Sequence, residues 1–458
     1  MDILLKGGTI VTPEKSFKAD LRISGEKIST IGNNLEEVDA KIVDVDGALL
    51  FPGFIDSHTH FDLDTGTTKT ADDFQTGTRG AIIGGTTTIL DFATQNKGET
   101  LVEALANWHK KADTVSSCDY GFHMAITEWK DTISKELDEM VKAGITSFKL
   151  YMAYDNLRVT DAEIYQVLKR VKEIGGIVGM HCENGDLVNE LVKEQKVQRN
   201  LSPSAHPKTR PPIVEAEAIN RYLTIAKLAG APVNIVHLSS KEGYVEAMKW
   251  RSRGQKIYIE TCPQYLLLED SCYEKEGFES AKFVFSPPAR KKLDMDCIWK
   301  ALQEDEIDTI GTDHCSFNYK GQKEQGIEDF SKIPNGIPGV EHRAVLIYTY
   351  GVLEDKITKE QMCKLLSTNT AKLFGMYPQK GCLQVGSDAD IVVWNPNYEG
   401  VISAASQEQK VDYTPYEGLA VKGRAEQVYL RGIEVVQEGR IIKDKAGQYI
   451  VRKESIYF

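Results

Sequence analysis

Between about residues 51 and 374, eight short runs rich in β-branched and aromatic residues alternate with longer stretches of helical period, and few folds satisfy that alternation. The runs fall at 53–56, 86–92, 119–126, 147–152, 177–181, 233–238, 256–261 and 308–312. Segments between them, such as 100–111, 134–143, 161–173, 215–229 and 242–251, are rich in Ala, Leu, Glu and Lys, which lose little on entering a helix. Eight strands alternating with helices favour a (β/α)8 barrel. A doubly wound open sheet has the same periodicity and stays open at this point.

The two ends differ from this middle. Short β-type runs at 3–5, 9–11, 20–23 and 41–45 are separated by Gly, Asp and Asn turns, and similar runs recur at 390–394, 427–430, 435–436 and 441–442. Composition narrows the function classes. The formal net charge is −12 with no long basic run, which disfavours nucleic acid or an anionic membrane as partner. No stretch approaches the roughly 18 consecutive apolar residues of a membrane span. Eight cysteines are scattered without a CxxC spacing, and Met1-Asp2-Ile3-Leu4-Leu5-Lys6 has no basic segment before an apolar run. These features lead us to expect a reduced, cytoplasmic protein without a removed leader.

In a barrel, chemistry gathers where the strands end. Five of the eight predicted strands close on a potential metal ligand or a lysine. The first runs Asp56-Ser57-His58-Thr59-His60, an i, i+2 pair that an extended chain points to one side. The fourth carries Lys149, the fifth His181, the sixth His237, and the eighth Asp313. One strand-end histidine is more often a hydrogen-bonded core residue than a ligand, but four together with an aspartate would converge on one point. His109, His123, His206, His314 and His342 fit that pattern less well and are expected to be structural or surface residues. Four imidazoles and a carboxylate are too many for one catalytic zinc, so two metals are the simpler accounting. Lys149 is then a paradox, because an ammonium repels cations. It must be neutral, displaced or chemically modified, or else be a snorkelling lysine or a Schiff-base nucleophile.

The segments at 51–60, Gly84-Gly85-Thr86-Thr87-Thr88, Ser147-Phe148-Lys149, Met152-Ala153-Tyr154, His181-Cys182-Glu183-Asn184, Ser286-Pro287-Pro288-Ala289-Arg290, Gly311-Thr312-Asp313-His314-Cys315, Ile333-Pro334-Asn335-Gly336 and Gly386-Ser387-Asp388-Ala389-Asp390 resemble the dihydropyrimidinase and D-hydantoinase family of cyclic-amide hydrolases, within the amidohydrolase superfamily. The resemblance runs nearly the whole chain. It implies a (β/α)8 barrel at 51–377 and a smaller β-sandwich assembled from 1–50 and 378–458. It also implies that CO2 carboxylates Lys149, and that the resulting carbamate bridges two zinc ions, with manganese or cobalt as alternatives. By the family pattern His58, His60 and Asp313 hold one ion and His181 and His237 the other. A bridging hydroxide attacks the ring amide, Asp313 shuttles the proton, and Tyr154 stabilises the oxyanion. Ser286 and Asn335 match positions whose backbone groups hold the imide-like edge of the substrate. Family members are commonly homotetramers.

An apolar pocket for the exocyclic substituent is expected from Phe61, Leu63, Phe92, Tyr151, Met152 and Leu157, suiting a 5-substituted hydantoin or a dihydropyrimidine. Three rivals stand beside this reading. Dihydroorotase typically follows its HxH with an arginine, whereas Phe61-Asp62 follows here, and Asp62 and Asp64 would repel a carboxylate substrate. Allantoinase uses nearly the same metal set. Non-catalytic scaffolds resembling the collapsin response mediators share the fold but have lost ligands, all six of which remain here. Cys182 and Cys315, beside ligands, read as packed thiols.

Overall fold

The structure, a computed structural model, describes residues 2–458. Its centre is a parallel sheet of eight strands in sequential order: Phe54–Thr59, Thr86–Thr94, Asp119–Ala125, Ser147–Tyr151, Ile177–His181, Val233–Ile235, Ile257–Thr261 and Thr309–Ile310. Nearly every residue of these strands is buried, as expected where helices cover the outer face and side chains fill the interior. The (β/α)8 barrel expected from the alternation is therefore the observed fold, and the open sheet is excluded.

The helices obey the physics that made them legible. Leu101–Ala112 buries Leu101, Ala104, Leu105, Trp108 and Ala112, one apolar stripe at i, i+3, i+4 spacing. Thr100 and Glu103 close its first turn with a capping box, and Thr160 and Glu163 do the same for Asp161–Glu173. Among the described residues, no helix is long and apolar enough to cross a membrane.

The barrel closes at a seam. The ladders run from the first strand through to the eighth, while the first and eighth meet through single contacts. His60 N–H donates to the His314 carbonyl at 2.8 Å. Thr312 gives its Oγ1 hydroxyl to Asp56 Oδ2 at 2.7 Å and its N–H to Oδ1 at 3.1 Å. Arg343, fully buried, donates to the carbonyls of Ile55 and Ile310 at 2.7 and 2.8 Å and so ties both strands from behind.

Both chain ends build the flanking layers. A seven-stranded sheet joins Thr9–Val11, Ser16–Lys18 and Leu49–Pro52 to Ile391–Val401, Ala420–Leu430, Ile433–Gln437 and Arg440–Ile441. A four-stranded sheet comprises Asp2–Lys6, Asp20–Ser24, Lys27–Gly32 and Ala40–Asp44. Leu5, Ile10, Leu21, Leu50, Ile391 and Val393 belong to one buried cluster shared by the two sheets. Residues 51 and 52 stand in the flanking sheet, paired with Val392 and Ile391. The last residues of the chain then run under the barrel, where Ile450 N–H donates to the Tyr120 carbonyl at 2.8 Å and Arg452 to Ser147 Oγ at 2.7 Å. That end is covered, so the opposite, C-terminal end of the strands is left for a site.

Two strands stop short of the sequence expectation. The sixth ends at Ile235 rather than 238, and the eighth at Ile310 rather than 312. The chain turns into the left-handed region just beyond them, at His237 (φ 40°) and Asp313 (φ 52°), which ends the extended ladder and turns those residues at the barrel rim.

A buried ionic cluster holds barrel to flank. Lys380 Nζ donates to Asp119 Oδ2 at 2.7 Å and Asp390 Oδ2 at 2.6 Å and lies 3.1 Å from Asp388 Oδ2, while Arg431 pairs with the other oxygen of Asp119. Lys380→Met removes the cation these carboxylates share, leaving Arg431 on Asp119 and Lys27 on Asp388 but, among the described residues, no side-chain cation on buried Asp390, and is expected to cost about 3–5 kcal/mol of stability. A denaturant midpoint equal to that of the wild type would show that the cluster contributes nothing.

Candidate metal centre

At the open end of the barrel, side chains from five strands surround the floor of a cavity of about 950 Å³. His58, His60, Lys149, His181, His237 and Asp313 all line it. His58 Nε2 and His60 Nε2 lie 3.2 and 3.1 Å from the same oxygen, Oδ1, of Asp313. His181 Nδ1 lies 3.0 Å from His237 Nε2, and the His58 and His237 ring centres are 5.4 Å apart. The six residues predicted from the strand ends are thus brought together, in two groups on adjoining walls.

Carboxylates behind the imidazoles decide which nitrogens face inward. Glu260 Oε1 accepts from His58 Nδ1 at 2.6 Å, and Glu183 Oε2 accepts from His181 Nε2 at 2.8 Å. The hydrogen-bond network therefore places the protons on the outer nitrogens and turns the lone pairs of His58 Nε2 and His181 Nδ1 inward. His58 Nε2 is accordingly buried without any hydrogen bond. Gly311 makes room for the Glu260 contact, since a Cβ there would sit 2.9 Å from both Glu260 Oε2 and His58 Cβ. Neither glutamate stood out in the sequence as a functional residue. The signal available was their position at or beside strand ends, in Glu260-Thr261 and His181-Cys182-Glu183.

The electrostatics match. Burial disfavours a charged His58, but Glu260 and Asp313 together outweigh it and carry the imidazole up to about 9, so the same field that draws a proton here draws a cation. Burial takes His60 down to about 4 and holds His181 and His237 below the usual range, leaving neutral imidazoles. Burial opposes ionisation of Asp313, yet His58 and His60 hold its carboxyl well below the ordinary range. Glu183 is likewise held down, to about 2, by Arg210 and His181 against its burial. Lys149 is buried with no carboxylate paired to it among the described residues, and burial lowers its amine to about 8.

These residues fit divalent metal. Two ligands each about 2.0–2.2 Å from one ion lie roughly 3 Å from each other, the spacing found within both groups, and a metal-bound imidazole ordinarily gives its other N–H to a carboxylate, as His58 and His181 do. His58, His60 and Asp313 alone already offer three converging ligand atoms.

Above this floor Tyr154 stands with its ring centre 5.2 Å from that of His181, in the left-handed region at φ 66°. Burial pushes its phenol up, against the pull of Arg210, so it is a hydrogen-bond donor at neutral pH. Ser286 and Asn335 line the cavity, as do Leu63, Tyr151 and Leu157. Phe61, Phe92 and Met152, expected in the pocket wall, do not. Phe61 packs outward against Phe74 and His314, and Met152 belongs to the main core. Phe92 stacks on His60 at 4.8 Å and on His123 at 4.9 Å, inside the barrel but beneath the ligands. The sequence reading missed Trp108 and Ile333, which also line the cavity. Of the remaining histidines, His123, His206, His314 and His342 are buried in the structure, and His109 is half-buried. His314, for example, accepts the N–H groups of Gly339 and Val340 on Nδ1 and faces Asp72 with Nε2.

Comparison with known proteins places these features in context. Residues 49–435 match the model of the amidohydrolase family. The chain is 44% identical to a D-hydantoinase of Geobacillus stearothermophilus over 455 residues, covering 99% of this chain and 97% of that one. It is 42% identical to a D-hydantoinase of Ralstonia pickettii, covering 99% of each. The crystal structure of a dihydropyrimidinase from Brevibacillus agri superposes with a TM-score of 0.98 at 43% identity, covering 99% of each chain.

Replacing the outer carboxylate tests whether it tunes a metal ligand. Glu260→Gln is expected to weaken divalent-cation affinity about 10–100-fold, measured by competition against a chromophoric chelator, while the fold is retained. Undiminished affinity would reduce Glu260 to a packing residue.

Proposed function

The chain belongs to the amidohydrolase family, and from that premise we propose that it opens the ring amide of 5-substituted hydantoins or dihydropyrimidines by hydrolysis, yielding N-carbamoyl amino acids. The observation that carries the reading is the convergence of four imidazoles, Asp313 and a buried lysine on the floor of one large cavity. The names of the relatives, which act on this substrate class, support it.

In this reading His58, His60 and Asp313 hold one zinc ion, His181 and His237 hold a second, and Lys149 joins them as a carbamate. The lowered basicity of Lys149 makes its neutral amine accessible near neutral pH. That amine adds to CO2, forming an N–C bond and releasing one proton, and the product is an anion where an ammonium would have repelled the ions. Bound here, two divalent ions supply Lewis acidity that brings water toward a pKa of roughly 7 and polarises the ring carbonyl.

The chain's own groups do the rest. Asp313, ionised and at the centre of the ligand cluster, takes the proton of the attacking water and passes it to the departing ring nitrogen. Tyr154, kept protonated, donates its hydroxyl to the developing oxyanion. Ser286 and Asn335 present backbone groups to the imide edge of the ring. Leu63, Tyr151 and Leu157, with Trp108 and Ile333, give the mouth an apolar lining that suits an alkyl or aryl substituent. The same reading carries a cytoplasmic location and a homotetrameric assembly, the latter checked by sedimentation.

The direct test incubates purified protein with dihydrouracil, an aryl hydantoin and allantoin separately and follows the ring-opened acid. Turnover of the first two is expected, and turnover of allantoin alone would transfer the protein to the allantoinase reading. Lys149→Ala is expected to lose metal and activity together, with partial recovery in millimolar short-chain carboxylic acid; full activity without the acid would refute the bridge. Tyr154→Phe is expected to keep its metal and lose roughly 10²–10³ in kcat. An unchanged kcat would remove Tyr154 from the mechanism.

A further inference from the structure

One buried cation has no part in the chemistry above. Lys323 opens the short turn Lys323–Gly326 in the excursion that follows the eighth barrel strand, and it is fully buried. Among the described residues no carboxylate pairs with it. Its Nζ donates instead to three backbone carbonyls, those of Val284, Pro334 and Gly336, each at 2.7 Å. Three acceptors use all three hydrogens of an ammonium, whereas a neutral amine would leave one carbonyl facing a lone pair.

The identity of those carbonyls points to a purpose. Val284 lies two residues before Ser286, and Pro334 and Gly336 flank Asn335; Ser286 and Asn335 both line the cavity. The two segments also touch directly, through Gly336 N–H donating to the Val284 carbonyl at 3.0 Å. Lys323 therefore sits at the joint between two stretches of cavity wall. The Pro334–Asn335 peptide has its oxygen on the ammonium, while the Asn335 N–H at its other end donates to no protein acceptor among the described residues. A cation on the oxygen of an amide draws electron density from its nitrogen and strengthens the N–H as a donor, and hydrogen bonds in such a chain reinforce one another.

We propose that Lys323 is a positioning residue that clamps the Ser286 and Asn335 segments and polarises the Pro334–Asn335 peptide, so that the Asn335 N–H grips the non-reacting carbonyl of a cyclic imide or ureide. The inference rests on the hydrolytic reading above for its substrate class. It explains why a costly buried charge stands where a methionine would fill the space. Burial draws the amine down to about 7 against the pull of Cys315, while the three carbonyl acceptors match the geometry of an ammonium.

Two small ligands isolate the contact. Succinimide carries the second carbonyl and 2-pyrrolidinone lacks it, so the ratio of their dissociation constants reports the grip on that group. Titration calorimetry on the metal-loaded full chain is expected to show succinimide bound about tenfold more tightly by the wild type. Lys323→Met is expected to cut that ratio about tenfold and raise KM for dihydrouracil, with metal content unchanged and kcat within about threefold. Lys323→Gln, which keeps two N–H donors and no charge, is expected to fall between, and it carries the test if the methionine variant does not fold. The proposal is overturned if the wild type shows no preference, or if a folded variant keeps the wild-type ratio. Because the binding ratio is measured separately from dihydrouracil turnover, a protein with the expected ratios but no hydrolysis of dihydrouracil would support the clamp and count against the hydrolytic reading alone.

Discussion

The seam between the first and eighth barrel strands is the constraint on which the site depends. His58 and His60 stand on one side of it and Asp313 on the other, more than 250 residues apart in sequence, yet the carboxylate oxygen lies 3.1–3.2 Å from both imidazoles. No continuous ladder sets that distance. It is set by Thr312 on Asp56, by the His60 N–H on the His314 carbonyl, and by a buried arginine that holds Ile55 and Ile310 from behind. Because the strands are not locked in register at this point, the chain beyond each is free to leave the extended conformation. Asp313 does so, which lets its carboxylate turn toward the histidines.

Charge then decides what such a site can hold. Glu260 and Glu183 sit behind His58 and His181 and orient them, and Arg210 in turn pairs with Glu183, so the inward-facing nitrogens of these two rings are each backed by a carboxylate. The inner surface presents three imidazoles that burial keeps neutral, a fourth whose surrounding carboxylates favour a cation, and one carboxylate, around a lysine that burial has made less basic. A pocket of this kind favours a divalent cation. Three residues around it, Tyr154, His237 and Asp313, have positive φ, a conformation L residues seldom adopt and one that tends to collect where function overrides local preference.

Lys323 extends the same logic to the substrate wall. Lys149 and Lys323 are both buried lysines without a carboxylate partner among the described residues, but their surroundings differ. Lys149 lies among imidazoles at the floor of the cavity, whereas all three hydrogens of Lys323 are taken by carbonyls. On the reading proposed above, the first takes up CO2 and the second holds backbone in place.

Much of this was legible in the chain. The eight-fold alternation named the barrel, and the strand-end positions of His58, His60, Lys149, His181, His237 and Asp313 marked the groups that the structure gathers at one cavity, because local periodicity and residue chemistry carry that information without tertiary contacts. The pocket wall was not legible. Barrel strands are buried on both faces, so they lack the alternation that would separate Phe92, beneath the ligands, from Tyr151, in the cavity lining. Nor were Glu260, Glu183 or Lys323 evident as functional residues. His58 meets Glu260 across 202 positions, and Lys323 meets carbonyls that carry no side-chain signature at all. Sequence determined which groups were available and which strand ends would carry them. Only ring closure decided which of those groups would touch, because contacts across the barrel depend on the register and tilt of all eight strands together.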